Sequence, residues 1–372
     1  MAVRNYLNAL RRNPPTPPYL LFFVTARCDA KCKHCFFWRA TDNPPQELTL
    51  AEIEKVAAHV GPLLQLTLTG GDAAQRADLP EIARVFAELS RCSNITIGTN
   101  GYRTERVLAL VTRTLETLPR GVNLTVDVSV DGVGADHDAI RNTPGIFDAV
   151  VKTVAGLRAI KKGDRRLNIC ADTTVSYYNQ DKLRPVYDFV LNEMKVDIIN
   201  ALYIRGEPRE DRAKDIDVAR YEEFCGWIKE DTARGAIPGY NFFTDILHAK
   251  DIILRQIIID TARTNRFQYP CTAARLTGVI YPQGDVAPCE MLPVVFGNLR
   301  EVDYDLARIW NSPAVNDFRE KIRREKCFCV HQCFLSNNIL FNPKLTPRLI
   351  AAIARLKWAR WTRPREGHGV VD

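Results

Sequence analysis

The sequence has no apolar run long enough to span a membrane, and no secretory hydrophobic segment follows Met1. The formal net charge of +7 is small for a chain of 372 residues, and no recognised nucleic-acid-binding module is present. These absences argue against an integral membrane protein, a secreted protein and a nucleic-acid-binding protein. We therefore expect a cytoplasmic protein that binds no nucleic acid.

The cysteine content excludes an ordinary disulfide framework. There are 11 cysteines, an odd number that fits paired disulfides poorly and that exceeds what an average cytosolic enzyme carries. In a reducing compartment, such an excess indicates that cysteines bind metal. The length predicts roughly two domains of about 150 residues each. We therefore look for clusters of cysteines rather than for pairs.

The first cluster consists of Cys28, Cys32 and Cys35, which have the spacing C-x3-C-x2-C. It directly follows residues 19–24, a short apolar run typical of a buried strand. The thiols therefore lie on a loop at the carboxyl end of a strand, where α/β proteins place their chemistry. Three thiolates can hold three irons of a 4Fe-4S cluster and leave the fourth iron open. The alternatives are a zinc knuckle, although zinc usually takes four ligands, and three buried thiols.

From residue 19 to residue 203, predicted strands alternate with predicted helices. This alternation predicts an α/β fold with a parallel sheet and right-handed crossovers. Six such units make an open barrel rather than a closed barrel of eight. The predicted strands are 19–24, 64–69, 95–99, 122–129, 167–175 and 197–203, and the helices between them are 51–60, 78–91, 103–118, 145–161 and 180–193.

The first cysteine motif resembles the signature of the radical S-adenosylmethionine (SAM) superfamily, in which an aromatic residue stands just before or after the last cysteine. The resemblance implies a partial (β/α)6 TIM-like barrel and a 4Fe-4S cluster held by Cys28, Cys32 and Cys35. The open iron would chelate SAM, and one electron would cleave it to methionine and a 5′-deoxyadenosyl radical. Phe36 would pack near the adenine. The implied partners are SAM, an electron donor such as flavodoxin or ferredoxin, and a substrate that the resemblance does not identify.

Motifs at the ends of later strands extend this resemblance. Gly70-Gly71-Asp72 matches the family's "GGE" motif, whose backbone and carboxylate contact the SAM amino group. Here the acid is one methylene shorter and alanine replaces the usual proline, so the backbone role is the firmer expectation. The alternative is a tight turn.

Three further strand ends carry cofactor candidates. Asn100 lies in a "TNG" element, and Ser129 with Asp131 and Arg141 matches an "S-x-DG…R" stretch. The resemblance implies that Ser129 reaches the ribose and that Arg141 pairs with the SAM carboxylate, for which a guanidinium fork is suited. Thr174, at the end of the fifth strand, completes the cofactor candidates.

Two other sites are ambiguous in the sequence. Arg205, at the end of the sixth strand, is either at the mouth of the active site or in an outer salt bridge. The cysteines outside the two clusters, Cys92, Cys170 and Cys225, lie in apolar stretches and are expected to be core thiols.

The second cysteine cluster begins with a predicted hairpin. Cys271 and Cys289 flank strand 276–281, turn 282–284 and returning strand 285–287. The thiols of Cys327, Cys329 and Cys333 follow later in the chain. This arrangement resembles the SPASM/twitch extension of radical SAM enzymes, which holds auxiliary clusters.

Five thiolates cannot fully ligate two cubes, so we expect one auxiliary 4Fe-4S cluster. Cys271 and Cys289 would be ligands together with two of the later three cysteines, with Cys329 and Cys333 preferred and Cys327 next. Structural zinc on the same thiolates is the alternative.

The end of the chain predicts a basic amphipathic helix. Residues 345–365 contain no acid, and Leu349, Ile353, Leu356 and Trp358 or Trp361 can share one apolar face. Such a helix is typical of contact with a membrane surface, here the inner face, and the alternative is a helix packed on the protein.

The expected organisation has five segments: a lead-in helix over 1–18, the radical SAM partial barrel over 19–235, a bridging segment over 236–265, the SPASM/twitch domain over 266–340 and the basic tail over 341–372. The expected activity is hydrogen abstraction from an unactivated C–H bond, leading to oxidation, cross-linking or epimerisation. The tail favours a lipid or lipid-linked substrate. The alternatives are a radical SAM peptide maturase and, in another class, a non-catalytic zinc-stabilised binding protein.

Overall fold

The computed structural model describes residues 2–10 and 14–362, which form a sheet flanked by helices. The strands are β1 (Tyr19–Thr25), β2 (Gln65–Gly70), β3 (Asn94–Thr99), β4 (Asn123–Ser129), β5 (Leu167–Val175), β6 (Ile198–Tyr203), β7 (Thr277–Ile280), β8 (Asp285–Ala287) and β9 (Gly297–Asn298). The first six are parallel, and in the described chain β6 and β9 are the two edges of one sheet with the order β6-β5-β4-β3-β2-β1-β7-β8-β9. The sheet therefore does not close, and the predicted α/β partial barrel is confirmed.

Helices follow the strands as the sequence pattern predicts. They are α1 (Ala2–Ala9), α2 (Trp38–Asp42), α3 (Leu50–His59), α4 (Leu79–Leu89), α5 (Thr104–Thr117), α6 (Ala135–Arg141), α7 (Ile146–Gly163), α8 (Leu183–Phe189), α9 (Val218–Arg234), α10 (Thr244–Thr264), α11 (Leu306–Trp310), α12 (Pro313–Arg324), α13 (Gln332–Leu340) and α14 (Thr346–Thr362). Helix α10 occupies most of the segment predicted to bridge two domains. The predicted domain boundaries themselves stay predictions.

The cysteine-rich part of the chain is joined to the barrel through the sheet. Strand β7 pairs in parallel with β1, from Tyr19 opposite Thr277 to Phe22 opposite Ile280. The predicted hairpin is present, because β8 returns antiparallel to β7 with Val279 opposite Ala287. Strand β1 is therefore flanked by a barrel strand on one side and by the cysteine-rich hairpin on the other.

A polar cluster fastens the second part of the chain to α3. Thr49 caps this helix in a capping box with Glu52. The carboxylate of Glu52 also accepts hydrogen bonds from Arg300 Nε at 2.7 Å and from the Tyr304 hydroxyl at 2.9 Å. The hydrogen bond from Arg300 is the largest cause that lowers the pKa of Glu52 to about 2.

The two faces of the barrel sheet differ in polarity, and this difference defines the interior. Residues such as Phe22 and Leu68 face the helices and are fully buried. The other face carries polar side chains, and Tyr19 and Thr67 are hydrogen-bonded to each other there. Since side chains alternate along a strand, the interior of the barrel is lined by every second residue.

Helix α14, in the predicted tail, packs against α9 and α10. Leu356 is buried, and Arg360 donates to Asp245 Oδ1 at 2.7 Å and lies 3.0 Å from His248 Nδ1. The side chains of Trp358 and Trp361 are 65% and 74% exposed. Among the helices of the described residues, none combines the length with the continuous apolar character of a membrane span. Residues 363–372 of the predicted tail lie outside the described residues.

The attachment of α14 should weaken in mild acid. Burial is the largest cause that lowers the pKa of His248 to about 4; Arg360 and Arg255 lower it further, whereas Asp251 and Asp245 oppose them. Because the pKa in the docked state lies below the ordinary value, the stabilisation is present above about pH 6.5 and is lost as the pH falls towards 4. From pH 7 to 5.5, hydrogen-exchange protection of residues 346–362, corrected for intrinsic rates, should fall roughly tenfold, or about 1.3 kcal/mol.

The matched variant is His248→Asn, which keeps an acceptor for Arg360 but does not titrate in this range. Its protection in residues 346–362 should change little between the two pH values. An equal pH response in both proteins would assign the effect to another group.

Candidate active site

The first cysteine loop is anchored by backbone hydrogen bonds on two sides. The amide of Lys31 donates to the carbonyl of Arg141, and that of Lys33 donates to the carbonyl of Ile140, at the end of α6. On the other side, the amide of Arg209 donates to the carbonyl of Cys35 at 3.0 Å. The loop therefore has a fixed path between the end of α6 and the segment that follows β6. Cys32 is buried, whereas Cys28 and Cys35 are half-buried.

The chain at the start of this loop leaves no room for a side chain at Gly70 or Gly71. Gly70 has φ +140°, and a Cβ there would lie 2.0 Å from the carbonyl oxygen of Thr25. A Cβ on Gly71 would lie 2.3 Å from the carbonyl oxygen of Arg27, which accepts from the amide of Asp72 at 2.9 Å. The two glycines thus let the end of β2 lie against the chain that leads to Cys28.

The carboxylate of Asp72 is engaged inside the protein. It accepts from the amide of Ala74 at 2.9 Å, and from the Thr99 hydroxyl and the amide of Asn100 at 3.2 Å. Burial raises its pKa to about 6. These bonds join the ends of β2 and β3, and the expected contact of Asp72 with SAM stays a prediction.

Asn100, Asp131 and Arg141 converge on the first thiols. Asn100 Nδ2 donates to Asp29 Oδ1 at 2.8 Å and lies 3.8 Å from Cys28 Sγ. Arg141 Nη2 lies 2.5 Å from Asp131 Oδ2, and Arg141 Nη1 lies 3.5 Å from Cys32 Sγ. Its Nε is buried and has no hydrogen-bond partner among the described residues. The guanidinium is therefore held beside the cysteine loop with one donor still free.

The remaining cofactor candidates lie around this centre. The backbone amide of Thr174 donates to Asp131 Oδ1 at 2.8 Å. Ser129 is half-buried at the end of β4, opposite Asp172. Phe36 packs against Gly206, where a Cβ would lie 3.0 Å from that of Phe36. Their expected contacts with ribose and adenine stay predictions.

His34 is a residue of this site to which the sequence analysis gave no role. It is buried, its Nε2 lies 3.7 Å from Asp131 Oδ2, and its Nδ1 has no partner within the described chain. Burial lowers its pKa to about 4, so the imidazole is neutral at pH 7. The signal was available, because His34 occupies the position just before the last cysteine of the motif.

The second thiol set comprises Cys271, Cys289, Cys327 and Cys329. The thiols of Cys271, Cys327 and Cys329 line one small cavity next to α10 and α13. Burial is the largest cause that raises the pKa of Cys271 and Cys289, and the charges of Cys327 and Cys329 raise both further. These four thiols are thus within electrostatic range of one another at one place.

Cys333 faces a different environment. Burial raises its pKa to about 12, the charges of Glu290, Asp172 and Asp127 add to this effect, and Arg205 opposes it. The charge of Cys333 also raises the pKa of Tyr19, whose side chain lies inside the barrel. The charges that act on Cys333 thus come from the barrel interior and Glu290, whereas those of Cys327 and Cys329 act on Cys271 and Cys289. This pattern favours Cys327 with Cys329, the sequence favoured Cys329 with Cys333, and the choice of ligands stays a prediction. Cys333 lies in the first turn of α13, whereas Cys327 and Cys329 lie on the loop before it.

A polar cluster lies inside the barrel, where the sequence predicted a core thiol. The ligand atoms of Asp127, Cys170 and Asp172 lie within 4.8 Å of one another. Asn200 Nδ2 lies 2.9 Å from Asp172 Oδ1 and 3.1 Å from Cys170 Sγ. Burial raises the pKa of both carboxyls, and the charge of Asp172 raises that of Asp127 further. Cys170 is fully buried, as expected of a core thiol, but its surroundings are polar because it faces the interior whereas its apolar neighbours face the helices.

The donor chemistry of both thiol sets fits iron–sulfur clusters. Each set consists of soft sulfur ligands, which select iron–sulfur clusters, zinc or Cu(I) over Mg²⁺ or Ca²⁺. The loop with Cys28, Cys32 and Cys35 offers three thiols. The second set, with Cys289 added to the three thiols of the cavity, offers four, enough for one complete cube. The loop itself supplies three cysteines, so a cube held by this loop alone would keep one open iron.

This barrel and these thiol sets define an iron–sulfur enzyme of the radical SAM class. The family model of the radical SAM superfamily matches residues 22–188, and the model of SPASM, an iron-sulfur cluster-binding domain, matches residues 271–334. The chain belongs to the radical SAM superfamily and carries a C-terminal SPASM domain. Its cofactors are a SAM-binding 4Fe-4S cluster, an auxiliary cluster and SAM.

Relatives with this architecture act on different substrates. The chain is 27% identical to the AdoMet-dependent heme synthase of Methanosarcina barkeri, over 80% of this chain and 83% of the relative. It is 25% identical to the PqqA peptide cyclase of Methylobacterium nodulans, over 84% of this chain and 78% of the relative. The structure of anSMEcpe with bound AdoMet has the same fold, with a TM-score of 0.59 and 14% identity over 94% of this chain and 100% of that chain.

The placement of Cys333 predicts which thiols retain the auxiliary cluster. After anaerobic reconstitution, the wild type should hold about eight irons per chain. Cys327→Ser and Cys329→Ser should fall towards about four, because each removes one of the four grouped thiols. Cys333→Ser should keep about eight. The opposite pattern, with loss only in Cys333→Ser, would contradict the grouping of Cys327 with Cys329.

A methyl group at Gly71 should disrupt the first cysteine loop. Because the added Cβ would lie 2.3 Å from the carbonyl oxygen of Arg27, Gly71→Ala should displace the chain before Cys28. Iron content should drop to about four, with the second thiol set still loaded. Gly226→Ala is the matched control, since its Cβ would meet no atom within 4 Å. Full iron content in Gly71→Ala would show that the close approach is not needed.

Proposed function

We propose that this enzyme cleaves SAM reductively and uses the 5′-deoxyadenosyl radical to take hydrogen from an unactivated C–H bond. The observation that carries this proposal is that the polar interior of the barrel lies beside the first thiol set and beside the SPASM domain. Arg141, which pairs with Asp131, lies 3.5 Å from Cys32 Sγ. Cys333 and Glu290 of the SPASM domain are within electrostatic range of each other, and Asp127 and Asp172 of the interior also act on the pKa of Cys333.

The residues around the first loop have distinct roles in this proposal. Cys28, Cys32 and Cys35 would hold the cluster, which supplies the electron for SAM cleavage when it is bound. Arg141 has a free Nε donor and a fixed position beside Cys32, which suits recognition of the SAM carboxylate. The backbone of Gly70 and Gly71 holds the loop in place. An electron donor such as flavodoxin or ferredoxin would supply the reducing equivalents.

Among the possible outcomes, the site favours oxidation of the substrate. Cys271, Cys289, Cys327 and Cys329 would hold the auxiliary cluster, which supplies a one-electron acceptor when it is bound. Asp127 and Asp172 have raised pKa values and face the same interior. When ionised, either carboxylate can accept the proton that an oxidised substrate releases. Cross-linking would use the same groups, and this is the reaction type that the PqqA peptide cyclase suggests for the peptide-maturase alternative.

A lipid-linked substrate is the second candidate, and the exposed end of α14 favours it. Trp358 and Trp361 are exposed on the side of α14 that does not contact the protein, and Phe243 near the start of α10 is 67% exposed. Tryptophans flanked by basic residues are typical of the boundary of a lipid bilayer. Flotation of the enzyme with anionic liposomes, lost in a Trp358→Ala/Trp361→Ala variant, would support peripheral membrane contact.

Formation of 5′-deoxyadenosine tests the leading proposal. The reconstituted wild type, supplied with dithionite and SAM, should produce 5′-deoxyadenosine even without substrate. The Cys28→Ala/Cys32→Ala/Cys35→Ala variant should fall to background, because it lacks the ligands of the first cluster. Cys92→Ala, which removes a buried thiol that donates to the carbonyl of Asn94, should keep the activity. Zinc in place of iron in the wild type would instead support the non-catalytic binding protein.

A further inference from the structure

We propose that the substrate of this enzyme carries a carboxylate and that Arg205 binds it between the two thiol sets. This inference rests on the proposed function, because it concerns the substrate of the same interior. Arg205 follows β6 directly, and its Cζ lies 4.9 Å from the centre of the Phe36 ring. The guanidinium is therefore stacked on the first cysteine loop.

The chain after β6 is confined between the two halves of the protein. Gly206 has φ +69°, and a Cβ there would lie 3.0 Å from the Cβ of Phe36 and 3.2 Å from the Cε of Met291. Phe36 belongs to the first cysteine loop, and Met291 follows Cys289 in the SPASM domain. This confinement places Arg205 at the junction of the barrel and the SPASM domain.

The charge of Arg205 shifts the pKa of groups on several sides of the interior. It acts on the pKa of residues in the first loop, in the barrel and in the SPASM domain, namely His34, Asp172, Glu290, Cys329, His331 and Cys333. A single cation with this reach occupies a central position in the site.

The guanidinium has no acidic partner in the described chain. Its Nε is buried without a hydrogen-bond partner. Arg205 forms no ion pair with any described residue. The nearby acids are already engaged: Glu290 with His331, Asp172 with Asn200 and Asp131 with Arg141. A buried donor without an acceptor costs free energy, which a ligand that supplies an acceptor recovers.

A carboxylate fits this donor better than a phosphate does. The free Nε and its neighbouring Nη form the fork that a planar carboxylate accepts bidentately. The charges of Asp127, Asp172 and Glu290 all raise the pKa of Cys333, so this interior already holds negative charge. A phosphate dianion would therefore be repelled more strongly than a carboxylate monoanion. SAM has its own guanidinium in the proposal, Arg141, which leaves Arg205 for the substrate.

Chemical modification tests this assignment with defined probes. Phenylglyoxal reacts with guanidinium groups, and its reaction at Arg205 can be followed by mass spectrometry in the reconstituted enzyme with saturating SAM. Benzoate should slow modification of Arg205 several-fold, benzamide should have no effect, and phenyl phosphate should protect less than benzoate. Arg39 is the internal control, because it also stacks on an aromatic ring, Trp38, but is paired with Glu207. None of the probes should protect Arg39.

Protection by SAM separates the substrate site from the SAM site. In the wild type, saturating SAM alone should leave Arg205 reactive, since SAM has its own guanidinium in Arg141. Complete protection of Arg205 by SAM alone would place Arg205 in the SAM site and overturn the inference. Equal protection by benzoate and benzamide would also overturn it, and stronger protection by phenyl phosphate would replace the carboxylate with a phosphate. Failure of the wild type to form 5′-deoxyadenosine would instead refute the proposed function.

Discussion

The close backbone contact between Gly70-Gly71-Asp72 and residues 25–27 is the constraint on which the site depends. Two carbonyl oxygens of the chain before Cys28 occupy the space where side chains of residues 70 and 71 would lie. The amides of Gly71 and Asp72 donate to these same oxygens. The path of the cysteine loop is therefore fixed by the backbone before any metal binds. The carboxylate of Asp72 extends this support to β3 through Thr99 and Asn100.

Strand β1 also positions the segment that carries the second thiol set. It pairs with β2 along one edge and with β7 along the other, so both cysteine-bearing segments take their positions from the same seven residues. Glu52, which binds Arg300 and Tyr304, adds a connection at the surface. The barrel and the SPASM domain consequently share one hydrogen-bonded framework rather than a flexible junction.

Much of this organisation could be predicted from the sequence. The six barrel strands, the hairpin between Cys271 and Cys289 and the first cysteine loop follow from local apolar patterns and spacing, which record backbone structure. The direction of Cys333 and the polar surroundings of Cys170 could not be predicted, because they depend on which strand face or helix side points inward. His34 and Glu290 were missed for a related reason: a single polar residue shows its role only when its neighbours from distant segments are known. The placement of Arg205 at the junction was left open between two alternatives, and contacts from both halves of the chain were needed to choose between them.

The parallel pairing of β7 with β1 has a consequence for how a substrate enters. Opening the interior by rotating the SPASM domain away from the barrel would require breaking the ladder from Tyr19 to Phe22, in the middle of the sheet. Such a rotation would break several buried hydrogen bonds at once, so opening by rotation of the whole SPASM domain is energetically unfavourable. Access must then be controlled by segments outside the sheet, and the connection after β6 that carries Arg205 is one segment that contacts both halves. A gate of this kind would admit a substrate past the same side chain that recognises its charge.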